Sequence, residues 1–152
     1  MAGFSAMDKN KSYLLEVRLI LNTIFPPSYA FTLMPVQNGK PSRTKDSGAI
    51  TVFADIHQGE LLASNLMNPG QYGPIVAKHG KNAGNVGRRD GGSFYVGSNS
   101  QYGLAYFDEE VFRSLAAYVM ACFHNAGITK DLLESLHERL AQAFHEAGFG
   151  NV

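Results

Sequence analysis

Between Tyr29 and Phe107 the apolar residues come in short runs, each broken within a few positions by glycine, proline, asparagine or serine. Punctuation of that kind confines the middle of the chain to short strands and turns. The spacing predicts strands over Tyr29 to Val36, Ala49 to His57, Pro74 to Lys78, Ser93 to Gly97 and Tyr102 to Phe107, with Glu60 to Asn65 as an ambiguous sixth element. In the second of these, Ile50, Val52, Ala54 and Ile56 alternate with Thr51, Phe53, Asp55 and His57, the period of two expected of a half-buried strand. Connections this short favour antiparallel pairing, because parallel neighbours need long crossovers.

The flanks follow a different period. Leu14, Val17, Leu21 and Ile24 recur at helical spacing between Lys11 and Phe25, and Pro26-Pro27 supplies a stop, with Asp8 or Ser12 as cap. Downstream, Asp108 is placed to cap a helix carrying Val111, Phe112, Leu115, Val119, Cys122 and Phe123, which is expected to end at Asn125-Ala126-Gly127. Thr129 then opens an amphipathic helix with Leu132, Leu133, Leu136, Leu140 and Phe144 on one side, closed by Gly148. Strands segregated from helices predict a single α+β domain over residues 1–152, with an N-terminal helix, a central antiparallel sheet of about five strands and two C-terminal helices. A chain of 152 residues with 45% hydrophobic content is large enough to bury a full core.

The 13 basic and 13 acidic side chains cancel, which excludes a uniformly basic nucleic-acid binder and an extended disordered chain. The cancellation hides an uneven distribution. Residues 1–48 carry Lys9, Lys11, Arg18, Lys40, Arg43 and Lys45 against Asp8, Glu16 and Asp46, for +3. Residues 70–106 carry Lys78, Lys81, Arg88 and Arg89 against Asp90, again +3, while the C-terminal helices carry −4. Two predicted loops hold much of the positive charge: Lys40, Arg43 and Lys45 in one, and Lys78, His79, Lys81, Arg88 and Arg89 in a glycine-rich loop over residues 78–92. Cations and glycine backbone at one end of a sheet suit a phosphate-bearing ligand, a nucleotide or nucleic acid, and Tyr95 and Tyr102 lie nearby for stacking on a base.

Known phosphate-binding signatures are missing. The glycines are followed by Arg88-Arg89 and a strand, whereas the phosphate loop and the dinucleotide fingerprint both open a helix. Metal-ligand spacing is absent as well: His137 and His145 stand eight apart on a helix, and Cys122 and His124 do not share a face. No cofactor is implied. A catalytic alternative is a metal-independent phosphodiesterase or nuclease, with His57 and His79 at strand ends as acid and base and Asp55 orienting His57. A third reading is a protein-protein interaction module or inhibitor, homodimeric through the apolar N-terminal helix. The lone Cys122 forms no internal disulfide, and Glu16 and Arg18 interrupt the first apolar run, so the expected setting is cytoplasmic, without membrane partners.

Overall fold

The computed structural model describes residues 3–20, 27–77, 84–98 and 100–148, the side chains of 127–130 and 133 excepted. The chain begins with strands. β1 (Phe4–Met7) and β2 (Tyr13–Ile20) form a hairpin, with Phe4 opposite Val17 and Met7 opposite Leu14. Asp8, itself buried, holds the turn: its carboxylate accepts the backbone N–H groups of Ser12 at 2.8 Å and Tyr13 at 3.1 Å. The acidic residue expected to cap a helix therefore caps a β-turn, and the N-terminal helix expected over Lys11 to Phe25 is corrected to a strand over its described part. Both periods can be read into this leucine-rich run, but Leu15 and Val17 are buried while Arg18 is exposed and Glu16 half-buried, which is alternation. The dimer interface assigned to that helix goes with it. Residues 21–26 lie outside the described residues.

β3 (Ser28–Gln37) is the spine of the first sheet. Along one edge it pairs antiparallel with β2; along the other it pairs with β4 (Lys40–Pro41) and β5 (Ile50–Asp55). The second sheet runs in the order β6 (Ile75–Ala77), β7 (Gly84–Arg88), β8 (Ser93–Ser98) and β9 (Tyr102–Tyr106), all antiparallel. Two sheets of five and four strands thus replace the single sheet of about five. Five of the expected strands coincide with β3, β5, β6, β8 and β9. β7 falls inside the stretch read as a glycine-rich loop, because Gly84 and Gly87 disguise a strand. Glu60 to Asn65 belongs to a helix, α1 (Gly59–Met67).

The sheets meet through their inner faces. Phe31 on β3 lies 6.5 Å from Phe94 on β8, ring to ring, and Val52, Val86 and Val96 are buried between them. The last element is one helix, α2 (Glu109–Glu146, 38 residues), where two were expected. Gly127 is uncomfortable inside a helix by only about 1 kcal/mol relative to alanine, and there is no proline to stop the chain. Asp108 occupies the N-cap position, although its side chain makes no capping hydrogen bond. Among the described side chains it is the first half of α2 that joins the core, through Phe112, Leu115, Ala116, Val119 and Cys122, and the buried Tyr29 hydroxyl donates to the Val119 carbonyl at 2.8 Å. No helix among the described residues is long and apolar enough to cross a membrane.

α1 is joined to the second sheet by a buried polar link. Asn65, fully buried, accepts from the Arg88 N–H at 2.7 Å and donates to the Arg88 carbonyl at 2.9 Å. Gly87 makes this approach possible: with φ +153°, a Cβ there would stand 2.6 Å from the Asn65 Oδ1 and 2.8 Å from the Pro74 Cα. Gly87→Ala is expected to destabilise the fold by about 2 kcal/mol or more, through overpacking and displacement of the Asn65 bond. Gly73→Ala, with nothing within 4 Å of the new methyl, is expected to stay within about 0.5 kcal/mol of the parent. Urea denaturation of the two variants checks the contrast.

Candidate functional site: a cationic cleft on the first sheet

The outer face of the first sheet is set by the same register that buries its inner face. Glu16, Thr32 and Thr51 lie opposite one another on β2, β3 and β5, and Arg18, Ala30 and Phe53 form the next row. The Thr32 and Thr51 hydroxyls are 3.0 Å apart. β4 then turns the chain so that Arg43 reaches back across the face and grips Glu16 with two bonds, 2.8 and 2.9 Å. Arg18 approaches the same carboxylate at 3.4 Å. Lys45 follows in a short 3-10 turn, Lys45–Ser47.

Arg18, Thr32, Arg43, Lys45 and Thr51 line a cleft of about 660 Å³ together with apolar Ile20, Ala30, Ile50 and Phe53, and Ser98, Ser100 and Gln101 from the turn between β8 and β9 line it as well. That size falls in the range of small-molecule sites. Three cations, Arg18, Arg43 and Lys45, line the cleft, and Glu16, outside the lining, pairs with two of them. The side chains of Arg18 and Arg43 are 62% and 63% exposed, so a ligand can reach them, whereas that of Glu16 is only 16% exposed. The hydrogen bonds from Arg43, reinforced by the charges of Arg43 and Arg18, hold the Glu16 carboxyl below its ordinary range against the cost of burial. Glu16 is therefore ionised at neutral pH and acts as an internal counter-ion to Arg43 and Arg18, leaving a net surplus of two positive charges at a cleft lined by both hydroxyl and apolar groups.

The sequence-predicted residues separate into groups. Arg43 and Lys45 line the cleft; Lys40, on β4, is exposed outside its lining. Lys78, His79 and Lys81 lie outside the described residues. Arg88 points inward: its guanidinium donates to the carbonyls of Leu66 at 2.8 Å and Gly91 at 2.9 Å, pairs with Glu109 at 2.6 and 3.1 Å, and sits 4.1 Å over the Phe112 ring. Arg89 is on the surface, 4.0 Å over the Tyr95 ring, and Tyr95 stacks on Tyr102 at 6.0 Å and 22°. The Tyr95 ring also lies across Gly97, in the space a Cβ would need. Tyr102, 73% exposed, directly follows Gln101 of the cleft rim, so the Arg89-Tyr95-Tyr102 ladder runs along the outer face of the second sheet toward the cleft.

His57 is exposed in a 3-10 turn, Ile56–Gln58, next to the end of β5. Asp55 reaches it through the backbone, accepting the His57 N–H at 2.8 Å, so this carboxylate caps the turn. Burial pushes the Cys122 thiol up, against the thiolate a nucleophile requires. Among the described residues no group of three or more His, Cys, Asp or Glu is placed to hold a metal ion. Arg18 and Glu16 escaped sequence reasoning because they were placed on a helix. Their alternation with Leu15, Val17 and Leu19 was the available signal. Comparison with known protein families, curated proteins and solved structures finds no match for this chain.

The two arginine environments give opposite expectations. Arg88→Ala leaves the Leu66 and Gly91 carbonyls without their side-chain donor and Glu109 without its partner, and is expected to cost about 2–4 kcal/mol of stability. Arg18→Ala, removing an exposed pair, is expected to cost less than about 1 kcal/mol. Thermal and urea unfolding of both variants measures the difference.

Proposed function

We propose that this is a small binding protein that holds a phosphate-bearing ligand, a nucleotide or a strand of nucleic acid, on the outer face of its first sheet. The observation that carries the reading is the convergence of Arg18, Arg43 and Lys45 on one cleft that also holds the hydroxyls of Thr32 and Thr51. Arginine forks suit the oxygens of a phosphate, Lys45 adds a mobile charge, and Thr32, Thr51 and Ser98 bring hydroxyl donors. The Arg89-Tyr95-Tyr102 ladder offers a flat face on which a base can stack. Glu16 pre-orients the two guanidinium groups and gives way when a stronger anion arrives. A cytoplasmic setting accords with the single, buried, protonated cysteine.

The internal counter-ion makes the proposal testable in both directions. Glu16→Gln frees Arg43 and Arg18 and is expected to tighten binding of a nucleoside triphosphate or a single-stranded oligonucleotide about threefold to tenfold. The double variant Arg18→Glu, Lys45→Glu is expected to weaken it at least about tenfold. Fluorescence anisotropy measures both. A steep fall of affinity with salt for the oligonucleotide identifies a polyanion as the ligand, and a shallow one the nucleotide. Unchanged affinity in the double variant, or no binding of either probe by the parent chain at about 1 mM, where complexes hold by only about 4 kcal/mol, would overturn the reading.

A further inference from the structure

The cleft and the tyrosine ladder lie on opposite outer faces of the sandwich. Arg18 and Thr32 stand on the outer face of the first sheet, whereas Tyr95 and Tyr102 alternate with buried Phe94, Val96 and Gly103 and point away from the core on the second. Packed sheets stand about 10 Å apart, and side chains on the two outer faces add to that distance. The two surfaces are joined at one edge by the turn between β8 and β9: Ser98, Ser100 and Gln101 line the cleft, and Tyr102 is the next residue. Tyr102 keeps most of its ring open to solvent, while stacking on Tyr95, itself beneath Arg89, holds that ring in place. From Ser93 to Phe107 the sequence carries no acidic residue, so this stretch offers no charge of its own that would repel a polyanion.

On the reading of the cleft as a phosphate site, we infer that the ligand is a single strand of nucleic acid, which bends over the β8–β9 turn with phosphates in the cleft and a base stacked on Tyr102. A lone nucleotide does not fit both surfaces. Only a sugar separates its base from its phosphate, too short a link to pass from one outer face to the other. A duplex is ruled out by stiffness: its persistence length of about 50 nm forbids a bend around an edge about 10 Å thick, and its bases are already stacked on one another. A single strand bends freely and presents unstacked bases, and rings set beside cations hold such strands without reading their sequence. Because Tyr95 already fixes the Tyr102 ring, less side-chain freedom is lost when a base settles on it.

Titration calorimetry of the full chain compares a single strand of about ten nucleotides, as DNA and as RNA, with its duplex, ATP and inorganic tripolyphosphate. The single strand, in whichever sugar binds better, is expected to bind at least about tenfold tighter than the other three. Tyr102→Ala is expected to weaken the strand at least about fivefold, the low end for one stacked base, and Tyr102→Phe to restore it. The chain has no tryptophan, so Tyr102→Trp supplies a single emitter at the platform. Its fluorescence is expected to be quenched by the strand and unchanged by ATP or tripolyphosphate. Tripolyphosphate binding without a preference for the strand, strand affinity indifferent to Tyr102→Ala, or quenching by ATP equal to that by the strand overturns the single-strand inference and leaves the phosphate cleft standing. No binding of any of the four overturns both.

Discussion

The buried guanidinium of Arg88 is the point at which the second sheet, α1 and the start of α2 are held together. Taking an arginine out of water is costly, and the cost is offset only when nearly every donor finds a partner. Here the backbone of Arg88 is locked to Asn65, while its side chain spans from the Leu66 and Gly91 carbonyls to Glu109, with the Phe112 ring beneath. One residue thereby fixes β7 to α1 and sets where α2 begins. The Glu109 carboxyl is held below its ordinary range, chiefly by the hydrogen bond from Arg88. A depressed carboxylate stabilises the folded state at neutral pH, and that contribution fades as pH falls through its lowered folded pKa.

That anchoring decides where the cleft can form. The inner faces of the two sheets are occupied by the shared core of Phe31, Val52, Phe94 and Val96, so chemistry is left to the outer faces. Close contact at Gly103, where a Cβ would stand 2.7 Å from Leu33 Cδ2, keeps β9 pressed onto the first sheet. The β8–β9 turn is thereby carried to the edge of β5, where Ser98 and Gln101 join a cleft otherwise built from β2, β3, β5 and the segment between β4 and β5. The cleft is a property of the sandwich, since neither sheet alone encloses it.

How much of this was legible depends on how many structures each segment's pattern admits. The run Ile50 to Asp55 puts β-branched Ile50 and Val52 with Ala54 on one face and Thr51 and Asp55 on the other, interrupted only by Phe53, and this reading as a strand is the one the structure matches. The run Tyr13 to Ile20 is rich in leucine, which suits a helix as readily as a strand. The choice is made by pairing to β3, a long-range interaction that the local pattern does not contain. With the wrong period, Glu16 and Arg18 drop out of any site, and the cleft loses one of its cations and its counter-ion. Arg88 shows the complementary failure: as a letter in a glycine-rich, basic stretch it looks like a ligand contact, and only the approach of Asn65 and Glu109 reveals an internal role. Arg43 and Lys45 were legible because a short polar turn after β4 has nowhere to go but the surface.

The zero net charge of the chain describes none of its working parts. Around Arg88 an ion pair is consumed in joining elements. Around Glu16 another is only half satisfied, because two arginines compete for one carboxylate that is itself mostly shielded from water. Under the proposed function an anion entering the cleft would meet guanidinium groups already paired with Glu16, so less side-chain freedom would be lost on binding than for unpaired surface arginines. The carboxylate that supplies this order would also oppose the incoming charge, so the proposed binding favours ligands with more than one negative charge: a singly charged anion would gain little over Glu16, whereas successive phosphates would engage Lys45 as well.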